Sequence, residues 1–298
     1  SYRRNVVFST VSILILKKNQ MKNKKIIAKG FFATLILTAT LLTSCGEEHN
    51  FYPNAGLVSD KDAKVKFTNA TIGPNGTNFT VNWFANDVKA TSVTVTALNG
   101  LPLGVPYGSQ FPATINYSLV AAGNQSIKVE VPQTATLPAS TLLTFPLNLE
   151  AQSYYSTFIV GSSPNYASYT VKDDLSVANS DPSKAYIRFL NLIPNSPADG
   201  YDLSIKELNS NTIIYSKVKY LSGNEVFIPI TAVPDLETTT YEIQLRTIGT
   251  TTVVAKGTLT PRKGRIYTLF CRGYVGGLNN GLPSTTVNIP VVTFYTNK

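Results

Sequence analysis

Apolar and polar residues alternate in short runs along most of this chain, and Gly, Pro, Asn or Asp closes nearly every run. Phe79-Thr-Val-Asn-Trp-Phe, Ser92-Val-Thr-Val-Thr-Ala and Ser126-Ile-Lys-Val-Glu-Val place apolar side chains on every second position. A two-residue period sends neighbouring side chains to opposite faces, so these runs predict half-buried strands. Val65-Lys-Phe-Thr, Leu142-Leu-Thr-Phe-Pro-Leu, Tyr155-Ser-Thr-Phe-Ile-Val and Ser168-Tyr-Thr-Val have the β-branched and aromatic content of the same element. No stretch after residue 45 carries the apolar spacing of an amphipathic helix. Many short strands between turn signals predict an all-β protein built from β-sandwiches.

The pattern changes completely before residue 46. Met21 is followed by Lys22, Lys24, Lys25 and Lys29, and then by an uncharged run from Gly30 to Leu42. A basic start, a short apolar core and small residues at its end are the parts of an export signal. The apolar core falls short of the roughly 20 residues that a membrane-spanning helix needs. Leu42-Thr43-Ser44-Cys45 resembles the bacterial lipobox, in which cleavage makes cysteine the first residue of the mature chain and its sulfur takes a diacyl group. Residues 1–44 are therefore expected to be the signal region, with 1–20 upstream of the true start at Met21. Glu47 and Glu48, just behind the cysteine, resemble a signal for export to the outer face of the outer membrane. Residues 45–62 then read as anchor and tether.

The strand pattern repeats. Lys66-Phe67-Thr68-Asn69 reads beside Arg188-Phe189-Leu190-Asn191, and Phe79-Thr-Val-Asn-Trp beside Tyr201-Asp-Leu-Ser-Ile. Further on, Ser126-Ile-Lys-Val-Glu answers Tyr241-Glu-Ile-Gln-Leu, and Tyr155-Ser-Thr-Phe-Ile-Val-Gly161 answers Tyr267-Thr-Leu-Phe-Cys-Arg-Gly273. Matches in the same order along the chain predict a duplicated unit. The two copies are expected over 63–177 and 184–298, joined by a turn-rich linker at Ala178-Asn-Ser-Asp-Pro-Ser183 with little to bury. The last apolar run, Thr285 to Tyr295, completes either copy.

Ala185-Tyr-Ile-Arg-Phe-Leu-Asn-Leu-Ile-Pro-Asn-Ser-Pro-Ala-Asp-Gly-Tyr-Asp-Leu-Ser204 resembles the opening of the family catalogued as domain of unknown function 4397. Gly264-Arg-Ile-Tyr-Thr-Leu-Phe-Cys-Arg-Gly273 resembles its closing strand. The resemblance covers 185–273 well and 64–172 more loosely. It implies tandem Ig-like β-sandwich domains in secreted or lipid-anchored bacterial proteins of Bacteroidetes type, and it brings no catalytic residues. Many members have histidine after the first strand, where this chain has Asn69 and Asn191.

Charge and composition narrow the partners. Eight of the 26 Lys and Arg lie in residues 1–44, leaving 18 to face 17 Asp and Glu in the body. A body this close to neutral lacks the clustered cations that nucleic-acid binding needs. The single histidine, His49, sits in the tether, away from any rigid site that a catalytic triad would require. Cys45 and Cys271 are the two cysteines; with Cys45 acylated, Cys271 has no disulfide partner and reads as a buried, inert thiol. Asp173-Asp174 reads as a solvated strand end, Asp199-Gly200 as a turn, and Arg262-Lys-Gly-Arg265 as a charged hairpin. No metal site, cofactor or catalytic set is expected. Trp83 is expected in a core. Tyr107 and Tyr166, on turn-like stretches, are candidate ligand contacts because a tyrosine ring can stack on a sugar. The expectation is a lipid-anchored outer-membrane protein, displayed on the cell surface, that acts as a binding or structural adhesion module towards a glycan or protein partner and is not an enzyme. Glycan binding in nutrient uptake and a hydrolase with an unrecognised carboxylate pair are the alternatives.

Overall fold

The structure, a computed structural model, describes residues 60–73, 78, 80–91, 94–95, 102–207 and 210–298. Within them the chain is all-β and forms two sandwiches. The first contains β1 (Asp62–Ile72), β2 (Asn82–Ala85), β3 (Val88–Lys89), β4 (Thr94–Val95), β5 (Pro102–Leu103) and β6 (Gln110–Phe111). It continues with β7 (Ser118–Ala121), β8 (Gly123–Val131), β9 (Ser140–Leu149), β10 (Tyr154–Ser162) and β11 (Asn165–Lys172). The second contains β12 (Ala185–Asn191), β13 (Tyr201–Glu207), β14 (Ser210–Val218), β15 (Gly223–Ile230), β16 (Tyr241–Arg246), β17 (Val253–Leu259), β18 (Ile266–Arg272) and β19 (Val291–Thr296).

The two sandwiches share one topology. One sheet of the first runs β11-β10-β1-β6, with β7 also on β1, and its counterpart in the second runs β19-β18-β12-β15. The facing sheets run β3-β2-β8-β9 and β14-β13-β16-β17. In each copy the opening strand pairs in parallel with a late one, β1 with β10 and β12 with β18. Val65 lies opposite Tyr155, and its counterpart Ile187 lies opposite Tyr267. Each of these tyrosines closes a corner in the same way: Glu150 N–H donates to Tyr155 Oη at 3.1 Å and Arg262 N–H to Tyr267 Oη at 3.0 Å. Tyrosine corners of this kind mark Ig-like sandwiches. Gly161 and Gly273 both end these strands at positive φ, and a Cβ on either would press into a backbone oxygen.

One pairing in the repeat shifts by a residue. Asn82 lies opposite Glu130 and its counterpart Ser204 opposite Gln244, so Ile127, not Ser126, corresponds to Tyr241. Ile127 and Tyr241 are both core residues, whereas Ser126 is exposed. A slip of one position in a strand exchanges its two faces, and burial fixes the register here. The C-terminal strand β19 joins the second copy, beside β18.

Each sandwich has its own core. Val65, Phe67, Trp83, Ile127 and Tyr155 belong to the first, and Ile187, Phe189, Leu203, Ile243 and Tyr267 to the second. Trp83 is fully buried with its ring centroid 5.1 Å from that of Phe67. Full burial of such side chains stabilises the fold by about 1.5–3 kcal/mol each.

The opposite faces of β1, β10, β12 and β18 are also apolar. Ala70, Phe158 and Val160 meet Leu190, Leu192 and Phe270 in a separate buried cluster. The sandwiches therefore stack through these sheets rather than hanging as beads on a linker. Counterparts touch across the contact: the Phe158 and Phe270 rings pack edge-on with centroids 5.7 Å apart. Such self-pairing is what an approximate two-fold axis requires. The linker, expected to bury little, forms a 3-10 helix, Leu175–Asn179, whose Ala178 is 4% exposed. Ala178 packs with Tyr186, Phe227 and Ile266, with Leu175 and Val177 alongside.

Candidate functional site

Lys66 and Arg188 occupy corresponding positions on β1 and β12, and both are fully buried in the contact between the sandwiches. A buried charge is tolerated only when it is paired and hydrogen-bonded. Lys66 Nζ donates to the carbonyls of Thr114 at 2.7 Å and Asn116 at 2.8 Å, and lies 4.8 Å from the Tyr117 ring centre. Burial lowers its pKa to about 8, against the upward pull of Asp173. Arg188 stacks on the counterpart ring, Phe227, at 4.5 Å. Its guanidinium donates to Thr268 Oγ1 at 3.0 Å, to the Lys172 carbonyl at 3.2 Å and to the Asp173 carboxylate. Burial opposes the charge on Arg188, but Asp173 and its neighbours outweigh it and hold the pKa up.

Asp173 corrects the sequence reading. It is 3% exposed and is the centre of the contact, while its neighbour Asp174 is exposed and caps the 3-10 helix. Besides Arg188, the Asp173 carboxylate accepts from Ser156 Oγ at 2.7 Å, Tyr117 Oη at 2.8 Å and Asn297 Nδ2 at 3.2 Å. Asn297 is its counterpart in the second copy: Asp173 N–H donates to the Tyr154 carbonyl and Asn297 N–H to that of Ile266.

Beside this polar layer a groove of about 530 Å³ opens, with walls from both sandwiches. Lys64, Tyr117 and Tyr154 come from the first, Asn297 and Lys298 from the second, and Leu175 from the linker helix. The Tyr117 and Tyr154 rings meet edge-on at 5.1 Å, and Lys64 Nζ lies 4.5 Å from the centre of the Tyr154 ring. A second hollow of about 510 Å³ shares Tyr154 and Leu175 and adds Ser153, Lys172, Asp174 and Ser176. Hollows of this size suit a small ligand or a few residues of an extended one. The arrangement offers aromatic rings, two ammonium groups and hydrogen-bonding side chains. Among the described residues no group of three or more His, Cys, Asp or Glu could hold a metal ion.

Tyr107 and Tyr166 lie elsewhere, towards the far ends of β6 and β11 along β1. Tyr107 is half-buried, and the Arg272 guanidinium of the second sandwich lies 4.4 Å from its ring centre. Tyr166 is half-buried opposite Gly161. Burial raises the phenol pKa of both. Cys271 is fully buried, burial pushes its thiol up to about 12, and its Sγ donates to Asn191 Oδ1 at 3.2 Å. Asn69 and Asn191 each turn their side-chain oxygen to the backbone N–H two residues on. Asp202 is buried and accepts from Ser216, Lys217 and Gly249, and so ties the irregular end of β14 to the β16–β17 loop. Leu42, Thr43, Ser44, Cys45, Glu47, Glu48 and His49 lie outside the described residues. Lys64, Tyr117, Tyr154 and Lys298 were not singled out from sequence. The adjacent tyrosines 154 and 155 were the available signal, since neighbours in a strand face opposite ways and a core takes only one of them.

Two stacked Ig-like sandwiches with a shared groove define a class of all-β module. Residues 63–199 match the family described as Domain of unknown function (DUF4397). The match spans the first sandwich and the opening strand and turn of the second, whereas the resemblance read from sequence is stronger over 185–273. No curated protein matches the chain. Among solved structures it is similar to CBMbc (family CBM26) from Eubacterium rectale Amy13K, in complex with maltoheptaose: 10% identity over 78% of this chain and 96% of that one, TM-score 0.21. It is also similar to a provisionally named cell adhesion protein from Parabacteroides distasonis ATCC 8503: 10% identity over 78% and 98%, TM-score 0.19. Scores this low carry no weight for the ligand.

Proposed function

We propose that this protein is a lipid-anchored module of the cell envelope that binds a partner or ligand and does no chemistry on it. The observation that carries the reading is the groove around Tyr154, whose walls belong to both sandwiches while the buried Arg188–Asp173 pair holds those sandwiches together. A site assembled from two bodies keeps its shape only if the bodies are fixed, and preorganisation lowers the cost of binding. Anchoring rests on Leu42-Thr43-Ser44-Cys45, and surface display on Glu47 and Glu48. The test is binding by the full-length protein to glycan and envelope-protein arrays, beside a Tyr154→Ala variant. Signals that are lost in the variant support the groove; arrays that respond identically to both proteins refute it.

Glycan contact through Tyr107 and Tyr166 is the second reading. It is favoured by their half-exposed rings, and opposed at Tyr107 by the guanidinium already stacked there. Tyr166→Ala on the same arrays separates it from the first.

A further inference from the structure

The approximate two-fold axis gives the open groove a counterpart. Lys64 lies opposite Tyr154, as Tyr186 lies opposite Ile266. Tyr117 lies beneath the Lys66 ammonium, as Phe227 lies beneath the Arg188 guanidinium. Lys64, Tyr117 and Tyr154 therefore match Tyr186, Phe227 and Ile266. In the second sandwich those three residues form a closed cluster, because the 3-10 helix lies on them through Ala178, with Leu175 and Val177 alongside. The same surface in the first sandwich has nothing over it among the described residues and stands as the open groove.

We infer that the open groove is a docking site for a short peptide segment of a partner protein, one that lies there as Leu175–Asn179 lies on the second sandwich. The inference rests on the groove being the ligand site and names its occupant. Shape follows from the filled counterpart: a single tight turn with small aliphatic side chains on one side. Charge follows from the differences between the two. Lys64 stands where the filled surface has Tyr186, so the open groove carries a cation at that position, while Asp174 lines the adjoining hollow. Lys298 Nζ already donates to Asn179 Oδ1 at 3.1 Å, so the Lys64 ammonium over the Tyr154 ring is the wall cation that selects a segment carrying a carboxylate as well. Tyr117 and Tyr154 replace Phe227 and Ile266 and give the floor rings that tolerate a polar edge.

The chain supplies its own probe. A fluorescently labelled peptide of residues 172–181, Lys-Asp-Asp-Leu-Ser-Val-Ala-Asn-Ser-Asp, has the turn, the aliphatic residues and the acids. Titrated with full-length protein, its fluorescence polarisation is expected to rise saturably. Ile115 is an exposed residue on the groove wall, and Tyr154→Ala and Ile115→Asp should each weaken binding at least tenfold. Lys64→Glu should do the same, and added salt should weaken the wild type. Leu137→Ser, an exposed change on the β8–β9 hairpin, should leave binding as it was. No saturable binding up to millimolar protein, or equal binding by every variant, overturns the inference. A glycan that binds through Tyr154 while the peptide does not would overturn the occupant and leave the groove standing. Failure of both probes would remove the groove as a binding site.

Discussion

Replacing Arg188 with methionine tests whether the two sandwiches are one body. Methionine keeps most of the stem and removes a guanidinium with no exposed side-chain surface, together with its bonds to Thr268, the Lys172 carbonyl and Asp173. Removing one partner of a buried ion pair costs about 3–5 kcal/mol, because the other charge is left buried. Here Ser156, Tyr117 and Asn297 still donate to the Asp173 carboxylate, which places the expected cost near the lower end, about 3 kcal/mol. Asp173→Asn in the same background should recover part of the loss, so that the double variant costs at least about 1 kcal/mol less than the sum of the singles. The single tryptophan makes the assay specific: Trp83 fluorescence follows the first core, while far-ultraviolet circular dichroism follows both. In urea the two signals should coincide for the wild type and separate for Arg188→Met, with the midpoint lowered. A cost below about 1 kcal/mol with coincident signals would refute the coupling.

Tyr155→Phe and Tyr267→Phe each strand a backbone N–H at a corner and should lower stability by about 1–2 kcal/mol, read by urea unfolding; a neutral result at both would show the corners to be incidental. Lys66 has a folded pKa of about 8 against 10.5 when free, so the unfolded chain binds more protons between those values and stability should rise with pH across that window. The slope should reach up to about 1.4 kcal/mol per pH unit and be missing in Lys66→Met; equal slopes would contradict the burial of a charged amine. Cys271 should resist a thiol reagent in the folded protein, and membrane-extracted protein unfolded in urea should give one thiol per chain; two would show that Cys45 is not acylated. Cys45→Ser should move the protein from the detergent phase to the aqueous phase; unchanged partitioning would remove the anchor.

Strands with one wet face were legible from sequence. The Ser126 to Val131 run alternates, and β8 follows it. The strands that build the contact between sandwiches were harder to read correctly. Tyr155 to Val160 and Ala185 to Leu190 are buried without a break, because odd and even positions enter two different cores. Their apolar density announced strands but not a second covered face. Asp173 escaped for a related reason: Tyr117 meets it only when the first sandwich folds, and Arg188 and Asn297 only when the second stacks on the first. The groove was hidden likewise, since Lys64, Tyr154 and Lys298 become neighbours only once both copies are packed. The duplication itself was visible, and only burial could correct the one-residue slip between Ser126 and Ile127.

Covalent joining of the two copies has a consequence for how such a molecule can change. In a pair of separate identical subunits every substitution appears on both sides of the axis, so a lysine gained at one rim is gained at the other and a plug that closes one face closes both. A single polypeptide escapes that constraint. Asp173 can stay acidic while Asn297 is an amide, Arg188 can stay paired while Lys66 reaches carbonyls, and one face can be sealed while its twin is kept vacant.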